Sequence, residues 1–508
     1  MTVDDGSQAP PPLRASMLAG RFFGDARAAT DVGSFLAAPR KLDALVLWFG
    51  ARRLAEIARG PDAAETLAEA IDRDIARIDA LVSRQLDALL HHPRMIRLEG
   101  AWRGLHWLVE HVEHDRLVKV RVLAARWTEV ARDLDRAVDF DRSGLFRLVY
   151  EEEFGTPGGE PFSMIAADYD IRGVPSPGHP TDDIATLGLL AAVAAAAFCP
   201  ICLPAAPQLL GLDSFHDAGP AFDLAGALKR PEIARWRNLA ARDDARFLAM
   251  LLPRTLARAS WVPDGTRADR FRYREHAGAV SRKVWTSPVF AMAAVTARSF
   301  ARYRWPGDIR GAEPSWDASG GVVETLPYER FRADPPGPPP RPPLEVSLTD
   351  EQERHAAENE MIALCGLQGL PEASFGAVPT VHRPPRMTND VATANQRLSA
   401  QLNSLLCVSR FAHVLKLMGR DMVGSFADAG EIELRLQRWL SQHIGGALGG
   451  GESAARYPLR DARVEVREKP GKPGHFGCTI LLQPHHQLDD VGASFRLVTE
   501  MKAPRAAA

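Results

Sequence analysis

The sequence predicts an α/β protein in which mixed α/β layers lie between N-terminal helices and a C-terminal β segment. Three observations predict this class. Apolar residues recur at helical spacing over residues 71–113, and strand-length apolar runs alternate with helical patterns over residues 117–330. Strict alternation of apolar and polar residues then returns after residue 462, as in strands covered on one face.

The composition excludes several classes of protein. The 508 residues carry 62 basic and 64 acidic side chains, a net charge of −2, so no basic excess is available for broad nucleic-acid binding. Five cysteines in so long a chain rule out a disulfide scaffold and favour a reducing, cytoplasmic compartment. We therefore expect no nucleic-acid partner.

The N-terminal part divides into an extension and a helical region. Residues 1–40 are rich in Gly, Pro and Ala, which predicts a flexible extension without a secretory signal. The helical region is predicted over 41–115. Its first helix has an apolar face and ends before Pro93, and a second helix over 95–113 is expected to bury another apolar face. The two faces consist of Ile71, Ile75, Ile78, Val82, Leu86 and Leu89, and of Leu98, Trp102, Leu105 and Val109.

The α/β region is predicted over 116–385. Val118, Val120 and Val122 alternate with Lys119 and Arg121, which predicts a strand. Further strands are predicted at 161–167, 247–252 and 321–325, and a Pro-rich connector at 335–343.

One uncharged stretch, residues 184–212, is long enough to span a membrane. However, alanine is its commonest residue, and Pro200, Pro204 and Pro207 interrupt it. A buried helix over 183–197 followed by a core strand explains the stretch better, so no membrane insertion is expected.

The C-terminal part is predicted to be a helical region, 386–445, followed by a β segment, 446–508. Helices are expected at 394–420 and 432–444, before a Gly-rich break at 445–451. Strands are expected at 462–466, 476–482 and 493–498, the first two joined by a turn at 469–474. Their alternating apolar residues are Val464, Val466, Ile480, Leu482, Phe495 and Leu497.

The search for catalytic or metal-binding groups finds no convincing set. Cys199 and Cys202 have CxxC spacing, but they lie in the uncharged stretch, so two buried thiols are expected. His106, His111 and His114 lack an HExxH pattern, so no metal or cofactor is predicted. An acidic, glycine-rich segment precedes a predicted strand and is expected to form a rigid loop. It consists of Glu151, Glu152, Glu153, Phe154, Gly155, Thr156, Pro157, Gly158 and Gly159.

Several segments together resemble the large contractile-sheath subunit of type VI secretion systems. The acidic segment, within 148–162, is the most distinctive of them. The others follow in the family's order, at 91–106, 408–413, 420–426, 455–460, 470–474 and 494–498. The match departs from the family in residues 1–40, which are shorter and less charged than the corresponding family region.

The resemblance implies a structural protein and not an enzyme. Family members pair with a small sheath subunit and stack helically, with neighbouring copies joined by interlaced strands, around an inner tube of ring protein. The sheath stands on a baseplate docked to a membrane-anchored complex, contracts to eject the tube, and is disassembled by an AAA+ unfoldase. The resemblance thus implies that the C-terminal strands join an intersubunit sheet, and that the acidic segment is a structural or interface turn.

Two alternatives remain open at this point. The first is a hydrolytic α/β enzyme that uses the carboxylates of Glu151, Glu152 and Glu153. The second is a sheath-like paralogue that serves as a cap or baseplate adaptor.

Overall fold

The computed structural model describes most of the chain between residues 32 and 501. The described residues are 32–112, 117–156, 158–268, 270–275, 282–311, 319–330, 333–334, 336–337, 341–367, 370–385, 396–397, 399–422, 428–445, 456–468, 476–484 and 495–501. The chain divides into two compact units, residues 1–96 with 260–283, and residues 97–259 with 284–508.

Helices dominate the first half of the chain and flank the strands in the second half. The described α-helices are α1 Val32–Leu36, α2 Lys41–Phe49, α3 Ala51–Ala58, α4 Ala63–Leu90, α5 Pro93–His111, α6 Trp127–Arg136, α7 Gly144–Phe146, α8 Glu152–Gly155, α9 Asp183–Ala197, α10 Leu224–Ala227, α11 Ala234–Ala240, α12 Pro288–Tyr303, α13 Asp350–Glu358, α14 Leu402–Met422 and α15 Ala429–Ser441. A π-helical turn, Arg147–Glu151, precedes α8.

The strands are mostly short. They are β1 Ile165–Ala166, β2 Ile201–Pro204, β3 Leu248–Leu252, β4 Thr255–Leu256, β5 Trp285–Thr286, β6 Val322–Val323, β7 Ile362–Gly366, β8 Ala373–Phe375, β9 Leu459–Glu468, β10 Phe476–Pro484 and β11 Phe495–Met501. The predicted α/β class is confirmed.

The first unit is built around the long helix α4. Its side chains hold the neighbouring segments by hydrogen bonds: Asp74 accepts from Trp48 Nε1 at 3.1 Å, and Asp87 accepts from the Tyr273 hydroxyl at 2.7 Å. Part of the predicted apolar face is wrong, since Ile75 and Leu89 are exposed. The predicted flexible extension also ends early, because α1 lies within it; its residues 1–31 lie outside the described part of the chain.

The second unit contains a six-stranded mixed sheet with the order β1-β2-β3-β7-β8-β6. The strands β1, β2, β3 and β7 are parallel, and β8 and β6 are antiparallel to their neighbours. Alternate residues of β3 enter two different apolar clusters, Met250 with the residues of α9 and Leu251 with those of α12. Both faces are therefore covered, which explains why these strands are uniformly apolar.

The predicted buried helix and core strand in the uncharged stretch are confirmed as α9 and β2. Among the described residues, no helix is both long and apolar enough to span a membrane. The strands predicted at 161–167, 247–252 and 321–325 are also present, as β1, β3 and β6.

Helix α5 buries a different face from the one predicted, although Leu105 of the predicted face packs against the core. Gly100, Gly104 and Leu108 are its buried residues, whereas Leu98, Trp102 and Val109 are exposed. A Cβ atom on Gly100 would overlap the Trp285 carbonyl oxygen, so the helix packs by direct approach of its backbone to β5. Apolar periodicity cannot reveal such a contact, because glycine contributes nothing to the pattern.

The strand predicted at 118–122 is wrong, because these residues pair with no strand in the described part of the chain. The Pro-rich connector is described only at 336–337 and 341–343, where it forms neither helix nor strand.

The C-terminal sheet has the order β11-β10-β9, and all its pairs are antiparallel. The three predicted strands are present, and the first two pair as the predicted hairpin requires. It packs on α15 and on the C-terminal half of α14 through Phe411, Leu436 and Ile480. Helix α14 begins at Leu402, whose amide donates to the carbonyl of Val378, and residues 394, 395 and 398 of the predicted helix lie outside the described residues. The break at 446–455 and the turn at 469–475 lie outside the described residues.

Candidate functional site

Residues 151–155 of the acidic segment are helical, whereas a loop was predicted; residues 156, 158 and 159 lie outside the helix. The π-helical turn runs directly into α8, which ends at Gly155. Glu153 is buried on it and accepts hydrogen bonds from Arg121 Nη1 and from the Glu160 amide, the latter at 2.7 Å. These two bonds explain why the segment carries a carboxylate there: a buried carboxylate needs such partners.

The structure does not bring the three consecutive carboxylates together. Glu151 and Glu152 are exposed, and Glu153 points into the protein. A Cβ atom on Gly159 would overlap the Glu153 carbonyl oxygen, so this glycine allows the chain to fold back on the helix. Pro157 lies outside the described residues. This geometry offers no pair of facing carboxylates.

Helix α14 presents three basic side chains, His413, Lys416 and Arg420, to the carbonyl ends of two other helices. We call these residues the basic ladder. At the end of α9, His413 Nε2 lies 3.0 Å from the Ala197 carbonyl oxygen, and Lys416 Nζ lies 3.5 Å from that of Ala196. Because a carbonyl can only accept, His413 donates from Nε2. At the end of α8, Arg420 Nη1 donates to the Thr156 carbonyl at 3.1 Å.

The last four carbonyls of any α-helix have no partner within the helix. In α9, those of Ala194 and Ala195 accept from the Cys199 and Phe198 amides, and the ladder supplies the remaining two. Cationic side chains at this end also interact favourably with the helix dipole. The ladder therefore completes the ends of both helices and attaches α14 to them.

The ammonium group of Lys416 has no carboxylate partner in the described part of the chain and lies among aromatic rings. It is 5.0 Å from the ring centroids of both Tyr150 and Phe154, and 4.7 Å from that of Phe198. Burial lowers the pKa of Lys416 from 10.5 to about 8. Burial likewise lowers the pKa of His413 to about 4, so this imidazole is neutral at pH 7.

The pKa of Lys416 makes the stability of the fold depend on pH. Between about pH 8 and pH 10.5 the unfolded chain retains a proton that the folded chain has lost, so the free energy of unfolding rises with pH. We expect Lys416→Met to remove this rise, measured by urea unfolding of the chain co-expressed with the small sheath subunit at about pH 7.5 and about pH 9.5. The exposed Lys229→Met is the matched control and should keep the wild-type rise. An unchanged pH dependence in Lys416→Met would contradict this account.

The two edges of the C-terminal sheet differ. Along the outer edge of β9, the Val464 amide donates to Gln437 Oε1 at 3.0 Å and the Val466 amide to Glu433 Oε2 at 2.9 Å. The Ala462 carbonyl on the same edge accepts from Gln437 Nε2. Side chains of α15 therefore occupy the positions that an added strand would need.

The opposite edge belongs to β11. This strand pairs with β10 from Phe495, opposite Leu482, to Met501, opposite Phe476, and no described strand pairs with its other side. Of the six predicted intersubunit residues, Val464, Val466, Ile480 and Leu482 are buried against the chain's own core, and the remaining two, Phe495 and Leu497, lie on β11. The open edge is thus that of the last strand.

The remaining candidate groups from the sequence, the CxxC cysteines and the possible metal ligands, form no catalytic or metal site in the described residues. Cys199 and Cys202 are fully buried, and burial raises the pKa of the Cys202 thiol to about 12. No group of three or more potential metal ligands occurs in the described residues. A cavity beside Gly104 and Phe290 has a volume of only about 10 Å³, whereas small-molecule sites measure roughly 300–1,000 Å³.

Two family profiles match the chain in sequence order. Residues 72–382 match the family described as EvpB/VC_A0108, tail sheath N-terminal domain, and residues 391–501 match its tail sheath gpW/gp25-like domain. The first match alone covers more than half of the chain.

The chain belongs to the VipB tail sheath family.

A named relative supports the same assignment. The type VI secretion system sheath protein TssC1 of Pseudomonas aeruginosa is 34% identical over 445 residues, which cover 86% of this chain and 87% of that protein. The predicted family is therefore confirmed, and the description of the family is that of a sheath protein and not of an enzyme.

Two solved structures also align with this VipB-family chain. The anti-feeding prophage baseplate structure, from cryo-electron microscopy, is 11% identical with a TM-score of 0.35, covering 79% of this chain and 83% of that chain. The sheath tail protein of Desulfitobacterium hafniense is 8% identical with a TM-score of 0.29, covering 62% and 60%.

The family boundaries give the basic ladder a clear position. Helix α14 lies in the second matched region of this VipB-family chain, whereas α8 and α9 lie in the first. The ladder is therefore a direct connection between the two regions. The sequence did not reveal this connection because Lys416 belongs to no recognised motif. The available signal was the spacing of the basic residues at positions 413, 416 and 420, which places them on one face of a helix.

Proposed function

We propose that this chain is the large subunit of a type VI secretion sheath, which polymerises with a small sheath subunit around an inner tube and contracts to eject it. The observation that carries the proposal is the 34% identity to a type VI sheath protein over 86% of the chain. The free edge of β11 supports the joining of neighbouring copies, because an unpaired strand edge accepts a strand from another chain.

The form of the assembly follows from that contact. A head-to-tail contact between copies does not in general close on itself and produces a helical filament. Contraction is then a shift between two packings of the same lattice, without hydrolysis by this chain. In the proposed cycle the assembled sheath surrounds the inner-tube ring protein in the cytoplasm, stands on the baseplate, and is recycled by an AAA+ unfoldase. The proposed domain limits, 41–115, 116–385, 386–445 and 446–508, separate the helical, wall and linker parts.

Co-expression tests this proposal. Exposed apolar side chains such as Leu98, Trp102 and Val109 favour aggregation of the isolated chain. We expect the chain to be insoluble or degraded alone and soluble with the small sheath subunit encoded in the same genome. Electron microscopy of the co-expressed material should then show tubules. A stable monomer at high concentration, together with no tubules on co-expression, would refute the proposed function.

A further inference from the structure

Side chains bond every outward amide of β9 between residues 462 and 466. In an antiparallel pair, successive amides of a strand alternate in direction, so those of Ala462, Val464 and Val466 point away from β10. The Val464 and Val466 amides donate to side chains of α15, and the Ala462 amide donates to Asp461 Oδ1 at 2.9 Å. This edge is therefore satisfied without a neighbouring strand.

The beginning of β9 is covered by the backbone that follows α15. The Leu459 amide donates to the His443 carbonyl at 3.2 Å, and the Gly445 amide donates to the Leu459 carbonyl at 3.1 Å. Leu459 and Ile444 thus form a parallel bridge. The outer edge is closed by backbone at its start and by side chains further along.

The amide group of Gln437 takes the place of a peptide unit of an added strand. Its Nε2 donates to the Ala462 carbonyl at 2.9 Å, and its Oε1 accepts from the Val464 amide at 3.0 Å. One residue of a parallel neighbouring strand would bond these same two groups. A glutamine side chain can do so because it carries a donor and an acceptor at the same end.

The geometry of α15 brings these side chains into register with the strand. Glu433 and Gln437 are four residues apart, which is about 6 Å along a helix, and Val464 and Val466 are two residues apart, about 6.8 Å along a strand. The apolar face of α15 is buried in the C-terminal core and fixes the helix in this position. A strand that approached this edge would have to displace α15.

We propose that Gln437 and Glu433 determine the specificity of assembly: they keep strands of other copies off β9, so that strand addition is confined to β11. A sheet with two open edges accepts a strand on either side, so copies would join in more than one direction. With β9 closed, the C-terminal sheet offers only the edge of β11 in the described part of the chain, as a head-to-tail filament requires. The inference rests on the proposed function, because it names residues that direct the contact between copies.

The test compares two double variants of the full chain, each co-expressed with the small sheath subunit. Gln437→Met, Glu433→Met keeps two long side chains on α15 but removes the groups that bond the strand. The matched control is Gln442→Met, Glu431→Met, which changes the same residue types at exposed positions in or directly after the same helix.

Deuterium exchange of the soluble fraction measures whether the edge is open. In the first double variant, the amides of Val464 and Val466 should exchange at least about tenfold faster than in the control. The amides of Arg463 and Glu465, which face β10, should exchange at the same rate in both. The single variant Glu433→Gln keeps an acceptor oxygen and should protect the Val466 amide as the wild type does.

Sedimentation and electron microscopy measure the effect on assembly. At least about tenfold more of the first double variant than of the control should sediment as irregular aggregates, because copies can then join at either edge. Equal protection of the Val464 and Val466 amides in the two double variants overturns the proposal, as do open amides without additional aggregates.

Faster exchange at Arg463 and Glu465 also overturns the proposal, because it shows that the two side chains hold the sheet together and do not merely close its edge. If the wild-type complex forms no tubules, the proposed function falls. The closed edge is then still decided, since the exchange and aggregation measurements do not depend on tubules.

Discussion

Gly100→Ala will destabilise the second unit by about 2–3 kcal/mol, the upper part of the range for overpacked cores. A Cβ atom at this position would overlap the carbonyl oxygen and carbon of Trp285, which are backbone atoms and cannot turn aside. Helix α5 would have to move away from β5, and the contacts of Gly104 with Thr286 and Phe290 would open with it. The measurement is urea unfolding of the soluble complex with the small subunit.

The expected loss of stability is opposite in sign to the intrinsic helix propensities of alanine and glycine. Alanine in place of glycine favours an exposed helix by about 1 kcal/mol. Gly155→Ala is the matched control, because Gly155 also lies in a helix and a Cβ there meets nothing within 4 Å. We expect Gly155→Ala to be neutral or slightly stabilising. Equal stability of the two variants would show that α5 does not pack on β5 through its glycines.

A proline in β11 will abolish tubules in one of two ways, by removing an amide that pairs with β10 or by removing an amide on the open side of the strand. Substitutions at two adjacent positions distinguish these two effects. Along an edge strand, successive amides alternate between the neighbouring strand and the open side. Leu497→Pro and Val498→Pro therefore remove one amide of each kind, since both positions pair with β10, opposite Ile480 and Thr479. Proline is tolerated on an edge strand where its missing amide would face outward.

We expect both proline variants to fail to form tubules under electron microscopy when co-expressed with the small subunit. One of the two should keep the wild-type unfolding midpoint and its binding to the small subunit, because only its outward amide is lost. Leu497→Ala and Val498→Ala keep the amides and should still form tubules. Removal of residues 493–500 should also abolish them. Full-length tubules from both proline variants would refute strand exchange at β11.

The sequence was sufficient for the elements whose side chains form long, regular patterns. Helix α9, the core strands β2 and β3, and the three C-terminal strands all follow from runs of apolar residues or strict alternation. The family was also predictable, because its motifs are spread in order along the chain and together are specific. In each case the information lies in local residue order.

The predictions that were wrong share a cause, which is that the deciding contact is not recorded in the local order of side chains. Helix α5 was assigned the wrong buried face because its actual contact is made by Gly100 and Gly104, which have no side chain to count. The acidic segment was predicted to be a loop because of its glycines, yet the carboxylate of Glu153 is held by Arg121, more than 30 residues away in the chain. Residues 118–122 carry a strand pattern without a strand partner in the described chain.

By itself, the sequence determined the α/β class, the order of the main elements, the buried state of the two CxxC thiols and the membership of the sheath family. Only the tertiary structure decided which faces meet and which edges stay open. It placed the basic ladder at the ends of α8 and α9, and the side chains of α15 over β9. The physical reason is that periodicity records how much of an element is buried, whereas the identity of its partner depends on contacts between residues far apart in the chain.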